Sequence, residues 1–204
     1  MLKVSGLSAK KGRLTLFSQL HFDMVPGQWL FLSGGNGSGK TTLLRILCGL
    51  ARPDEGQVLW RDENAHNAPE QLHQESIYLG HALGLKEEMS ALENLQFNAQ
   101  MMNKDFDPKR TKEVLNTLGL RGREHLPLRV LSQGQKRRVA LAKLMLFPAT
   151  LWILDEPFVA LDGAGQEVLI KAIEAHLRQQ GLLIYTSHQK VQIAAPGLEV
   201  SLQS

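Results

Sequence analysis

Trp29-Leu30-Phe31-Leu32-Ser33-Gly34-Gly35-Asn36-Gly37-Ser38-Gly39-Lys40-Thr41-Thr42-Leu43-Leu44 is the stretch that decides the fold. Its first four residues are continuously apolar, as in a strand buried on both faces of a parallel or mixed sheet. Leu43, Leu44, Leu47 and Leu50 then recur at helical spacing. Between strand and helix, Gly34 to Thr41 match G-x-x-x-x-G-K-[ST], in the strand, loop and helix context that this pattern requires. Glycines let backbone N–H groups turn inward around phosphates, the helix N-terminus adds partial positive charge, and Lys40 adds a full one. The candidate nucleotide-binding residues are therefore Gly34, Gly35, Asn36, Gly37, Ser38, Gly39, Lys40, Thr41 and Thr42. Lys40 is directed to the β- and γ-phosphates and the Thr41 hydroxyl to Mg2+.

Outward from this segment, Leu2 to Phe22 predicts short strands and turns, punctuated by Gly6 and Gly12 and closed by the Pro26-Gly27 turn. Downstream, Gly56 to Trp60 and Ile77 to Leu79 read as strands, and Arg61 to Gln74 as a polar loop with a short helix. Ala91 to Met102, Pro108 to Leu118 and Gln133 to Leu146 predict helices. Leu151-Trp152-Ile153-Leu154 and Leu182-Leu183-Ile184-Tyr185 are further apolar strands flanking an amphipathic helix at Gln166 to Gln179. The order predicts an α/β fold with a mixed sheet core and an inserted helical subdomain. The core lobe is expected at about 1–80 and 148–204 and the helical subdomain at about 81–147, within a single domain over 1–204.

A chain of 204 residues with a net charge of +3 and no block of Lys or Arg does not favour nucleic acid as a partner. Its single cysteine, Cys48, has no internal disulfide partner and fits a reducing compartment. Met1 to Lys11 contain no continuous apolar core of a secretory signal. The longest apolar stretch, Leu144 to Leu154, is broken by Pro148 and Thr150 and falls far short of the roughly 20 residues a spanning helix needs. The expectation is a chain that does not cross a bilayer and works at a membrane only by docking to something that does.

Asp155 and Glu156 leave the apolar strand together at its carboxyl edge, where α/β folds place their ligands. Asp155 is positioned to hold Mg2+ with Thr41, and Glu156 to polarise the attacking water near the γ-phosphate. Leu131-Ser132-Gln133-Gly134-Gln135 precedes a helix, and Ser132 with Gln135 has the spacing of a capping box.

That pentapeptide also resembles the LSGGQ signature of ABC ATPases, and it stands about twenty residues before the Asp155 strand, as in that family. The resemblance covers essentially the whole chain, with the motifs in family order, and implies an ABC-type P-loop NTPase using ATP and Mg2+. It implies that Ser132, Gly134 and the helix N-terminus contact the γ-phosphate of ATP held by a second cassette, with a homodimer the simpler arrangement. Gln133 departs from the family by replacing the first of its two glycines. Ala160-Leu161-Asp162 is similar to the D-loop, and His188 to the switch histidine that joins Glu156 in catalysis. His81 stands where the family has its Q-loop glutamine, either as a substitute polar contact or as a surface residue. Lys10, Lys11 and Gly12 stand where many relatives stack an aromatic ring on adenine.

Tyr78-Leu79-Gly80-His81, Ala91-Leu92-Glu93-Asn94-Leu95 and Ala149 to Phe158 resemble the ATPases of bacterial cytochrome c maturation. That subfamily implies a translocase-class subunit, peripheral on the cytoplasmic face of the inner membrane and bound to integral membrane subunits of the maturation complex. Its ATP cycle would serve haem handling or the release of a haem-loaded chaperone. Alternative readings are an ABC ATPase of another small-molecule transporter and a soluble, non-transport ABC protein. His21, His66, His73, His125 and His176 lack a Cys-x-x-Cys-His context and predict surface or core positions, not haem ligation.

Overall fold

The first 24 residues build more than short strands. The computed structural model describes residues 1–188 and 190–202, and it opens with two long strands, β1 (Leu2–Lys11) and β2 (Leu14–Met24), paired antiparallel. Gly6 does not end a strand. It sits inside β1 where the register shifts against both neighbours, between Val4 and Leu7 along β2 and between Ser5 and Ser8 along β4, so a residue that looks like punctuation marks a bulge that bends a continuing strand. The chain continues through β3 (Trp29–Gly34), α1 (Lys40–Leu47), β4 (Glu55–Trp60), β5 (Glu63–Asn64), α2 (Pro69–Glu75) and β6 (Ser76–Leu79). Next come α3 (Ala91–Met101), α4 (Pro108–Thr117), a short 3-10 turn at Leu128–Val130 and α5 (Gln133–Leu146). The last elements are β7 (Leu151–Leu154), α6 (Gly163–Arg178), β8 (Leu182–Thr186) and β9 (Gly197–Leu202).

Strands β2-β1-β4-β5 form an antiparallel sheet and β6-β7-β8-β3-β9 a parallel one. One apolar core joins Leu2, Val4 and Val58 of the first to Leu30, Ile153 and Ile184 of the second, with Leu43, Leu44 and Leu47 of α1 between. Every residue of β7 and β8 is buried, as are the first four of β3, which is why those runs carry no polar alternation. β9 was not expected from the apolar runs. It is an outer strand with alternating exposure, and its signal is the period-two pattern Leu198, Val200, Leu202.

Contacts divide the chain into two units, residues 1–80, 149–157 and 174–204, and residues 81–148 and 158–173. Both sheets belong to the first unit. In its parallel sheet, β7, β8 and β3 are consecutive neighbours, so the segments leaving their carboxyl ends share one edge. The second unit is helical: α3 packs on α4 and α5, and α4 on α5. Ser90 and Glu93 form a reciprocal capping box at the start of α3. The buried Asn94 amide secures the preceding loop by donating to the Lys86, Met89 and Ser90 carbonyls and accepting from the Lys86 N–H. Residues 158–173, on the core side of the boundary that the sequence predicts, group by contacts with the helical unit.

Candidate functional site

The loop after β3 is built by its backbone. Gly39 caps α1 with φ 97°, contributes no side chain, and has no room for one: a Cβ there would lie 2.9 Å from Leu16 Cβ. α1 therefore starts with no side-chain cap and no acidic residue in its first turn, which leaves its N-terminal N–H groups and positive dipole end to an external anion. Lys40 Nζ donates to the carbonyls of Gly34 at 2.7 Å and Gly35 at 2.9 Å, folding its charge over the loop. Ser38 is buried, and its Oγ has no hydrogen-bond partner among the described residues. A buried hydroxyl is costly to leave unsatisfied. A phosphate oxygen would supply the missing partner, so the loop fits the group that its sequence implies.

Asp155 leaves the end of β7 and is 4% exposed. Its N–H donates to the Leu79 carbonyl at 2.8 Å, which continues the β6–β7 ladder. Its Oδ2 accepts from the Thr41 hydroxyl at 2.9 Å, and its Oδ1 accepts from the Thr186 hydroxyl at 2.7 Å. No group of three or more His, Cys, Asp or Glu with metal-holding geometry exists among the described residues. One carboxylate and one hydroxyl are nevertheless the hard oxygen donors suited to Mg2+, which takes its other ligands from phosphates and water. Glu156 has φ 51°, unusual for a residue with a side chain, and its N–H donates to Thr186 Oγ1 at 2.8 Å. His188 Nε2 lies 4.0 Å from Glu156 Oε1, with the histidine side chain 74% exposed and the glutamate 17%.

The helical unit holds the other motif residues. Leu131 is buried and Ser132 caps α5, its Oγ accepting from the Gln135 N–H while Gln135 Oε1 accepts from the Ser132 N–H. Gln133 is exposed. Gly134 has a neighbour that forbids a side chain: a Cβ there would lie 2.6 Å from the Ala160 carbonyl oxygen. Ala160 has φ 63°, and Asp162 Oδ1 accepts from the Gly165 N–H at 2.8 Å and from the Arg138 guanidinium. The Gly165 hydrogen bond, followed by the Arg138 guanidinium, holds the Asp162 carboxyl below the usual carboxylate range. His81 is exposed in the bend after β6. Lys10 and Lys11 are exposed at the end of β1 beside Gly12, and the Lys10 N–H donates to Asp54.

The phosphate loop, Asp155, Glu156 and His188 thus share one unit, and Leu131 to Gln135 share the other with Asp162 and His81. Two participants were not legible as such: the Thr186 hydroxyl and the Ala160 carbonyl. The first had a signal in the strand register, since Leu154 pairs with Tyr185 and the next residue on each strand is Asp155 and Thr186. The second had none, because an N-terminal helix residue and a loop carbonyl 26 positions later meet only in the folded unit.

A family model described as ABC transporter matches residues 17–159. The cytochrome c biogenesis ATP-binding export protein CcmA of Escherichia coli strain K12 is 45% identical over 95% of this chain and 92% of its own length, and that of Shigella flexneri is identical to the same degree over the same shares. Among solved structures, an ABC transporter ATP-binding protein from Pyrococcus furiosus aligns with a TM-score of 0.85 at 22% identity, covering 98% of this chain and 96% of that one. A dimeric ATP-binding cassette in a post-hydrolysis state, bound to ADP and Pi, aligns with a TM-score of 0.81 at 21% identity over 93% and 88%. Likeness at these identities speaks for the fold.

Proposed function

The chain belongs to the ABC transporter family, and on that premise we propose that it is the ATP-hydrolysing subunit of a membrane complex for cytochrome c maturation. Its ATP cycle drives haem handling or the release of a haem-loaded chaperone. The observation that carries the pathway is the 45% identity over nearly the full length to proteins named for cytochrome c biogenesis export. The chemistry is supported by the Asp155 carboxylate, held between the Thr41 and Thr186 hydroxyls beside Glu156.

In this reading Gly34 to Thr42 bind the ATP phosphates. Lys40 exchanges its two loop carbonyls for phosphate oxygens, and Ser38 gains the partner its Oγ lacks. Thr41 and Asp155 would hold Mg2+, which would neutralise charge on the phosphates when bound. The Glu156 carboxylate accepts a hydrogen bond from the attacking water and orients it in line with the γ-phosphate. His188 donates to a γ-phosphate oxygen. Ser132, Gly134 and the start of α5 complete the site on ATP held by a second copy, and Asp162 with its Arg138 and Gly165 contacts braces that surface. His81 stands at the position from which nucleotide state is passed to the membrane partner.

Among the described residues no helix is long and apolar enough to cross a membrane. Attachment to the cytoplasmic face through integral maturation subunits therefore accounts for a membrane role. The test is affinity purification from membranes of the native host, with wild type and Glu156→Gln compared in ATP. Turnover of the variant is expected to fall about 100-fold or more, the scale of a lost general base, and cytochrome c maturation subunits are expected to co-purify. Recovery of another permease, or of ribosomes, overturns the pathway and leaves the ATPase intact.

A further inference from the structure

We infer that Thr186 is a positioning residue of the hydrolytic site, whose hydroxyl locks the Asp155 carboxylate and the Glu156 backbone into a single geometry. The inference rests on the proposed roles of Asp155 and Glu156 and adds to them the group that ties the two together.

A threonine hydroxyl has one proton to donate and two lone pairs to accept with. The Asp155 carboxylate can only accept, so the 2.7 Å contact fixes the Thr186 proton toward Oδ1. The hydroxyl oxygen is then presented to the Glu156 N–H, which donates to it at 2.8 Å. Thr186 is fully buried. It also pairs with Leu32 of β3, the strand that leads into the phosphate loop. The same oxygen thus sets the orientation of the carboxylate, leaving Oδ2 toward Thr41, and anchors the first peptide of the loop that carries Glu156.

Glu156 needs that anchor because its φ of 51° is a conformation that residues with a Cβ adopt at a cost. Without the hydroxyl, the Glu156 peptide loses this anchor, and a shift toward a right-handed conformation carries its carboxylate away from the water it orients. His188 follows Thr186 by two residues and lies 4.0 Å from Glu156, so the end of β8 reaches the Glu156 carboxylate as well as its backbone. A displacement of this kind lowers turnover far more than nucleotide affinity, since misplacing a reacting group by about 1 Å can cost on the order of 100-fold in rate.

The experiment compares Thr186→Val, Thr186→Ala and Thr186→Ser with wild type and Glu156→Gln. It measures kcat and KM for ATP, and the affinity of a fluorescent ATP analogue in Mg2+ and in EDTA. Val and Ala are expected to lower kcat about 10- to 100-fold, to leave affinity in EDTA unchanged, and to blunt the tightening that Mg2+ brings, because Asp155 loses its orientation. Ser keeps the hydroxyl and is expected to stay within about threefold of wild type in every reading. If folded Val or Ala variants keep wild-type kcat and Mg2+ response while only their Tm falls, Thr186 is structural and the inference is overturned. Equal impairment of Ser and Val overturns it too, and a folded Ser variant whose kcat falls as far as that of Glu156→Gln overturns it even if neither Val nor Ala folds. Glu156→Gln separates the two levels. If it turns over normally, the assignment of Glu156 fails; if it is inactive while Thr186→Val is normal, only the present inference fails.

Discussion

The helix starts at α1 and α5, each with a glycine, use the same backbone physics in opposite ways. At α1 the capping residue is Gly39, which brings no side chain, no reciprocal hydrogen bond and no acidic neighbour. At α5 the cap is Ser132, closed by a full exchange of hydrogen bonds with Gln135. The first helix leaves its N-terminal donors without a side-chain cap, as a site for a ligand would. The second satisfies part of its own N-terminus and keeps its shape without one. The glycines differ in kind as well. Gly39 is required by backbone conformation and by Leu16 beside it, whereas Gly134 is required by the Ala160 carbonyl alone. A glycine-rich motif is therefore not one structural statement, and substitutions in the two loops should fail differently.

The largest effect is expected for Gly39→Ala, which combines a left-handed φ with a Cβ 2.9 Å from Leu16. Affinity for a fluorescent ATP analogue should fall about 100-fold or more as the loop distorts away from the phosphates; normal binding would break the account of α1 as the phosphate-facing helix. Gly134→Ala should leave analogue binding by the isolated chain within about threefold, yet lower steady-state turnover roughly 10- to 100-fold, because the Ala160 contact has to give. Gln133→Gly, at an exposed position beside it, should change turnover by no more than about threefold. Equal losses at positions 133 and 134 would erase the distinction drawn from Ala160. The smallest effect on stability is expected for Ser132→Ala, which removes a cap worth about 1 kcal/mol, so that thermal unfolding should shift down by about 2–4 °C.

Much of this was legible before the fold. The apolar runs at Trp29, Leu151 and Leu182 announced the buried parallel strands, because a strand covered on both faces has no polar positions to alternate. β1 was harder, since Gly6 has the chemistry of a turn and only antiparallel partners on both sides turn it into a bulge. β9 was missed because three alternating apolar residues in a polar segment are a weak signal, and its pairing with β3 spans more than 160 residues of sequence. His176 shows a limit of residue chemistry. Grouped with surface or core histidines, it stacks on Trp152 at 3.9 Å, and burial lowers its pKa.

The strand, glycine loop and helix around Gly34 to Thr42, the exit of Asp155 and Glu156 from β7 and the cap at Ser132 were legible in the sequence itself, since each depends on residues adjacent in the chain and on local backbone rules. Tertiary structure alone decided which oxygen orients Asp155, which carbonyl excludes a side chain at Gly134, and where Gly6 leads β1. The physical reason is the same in all three cases: a hydrogen bond or a close approach between atoms distant in sequence exists only once the strands and helices that carry them have packed.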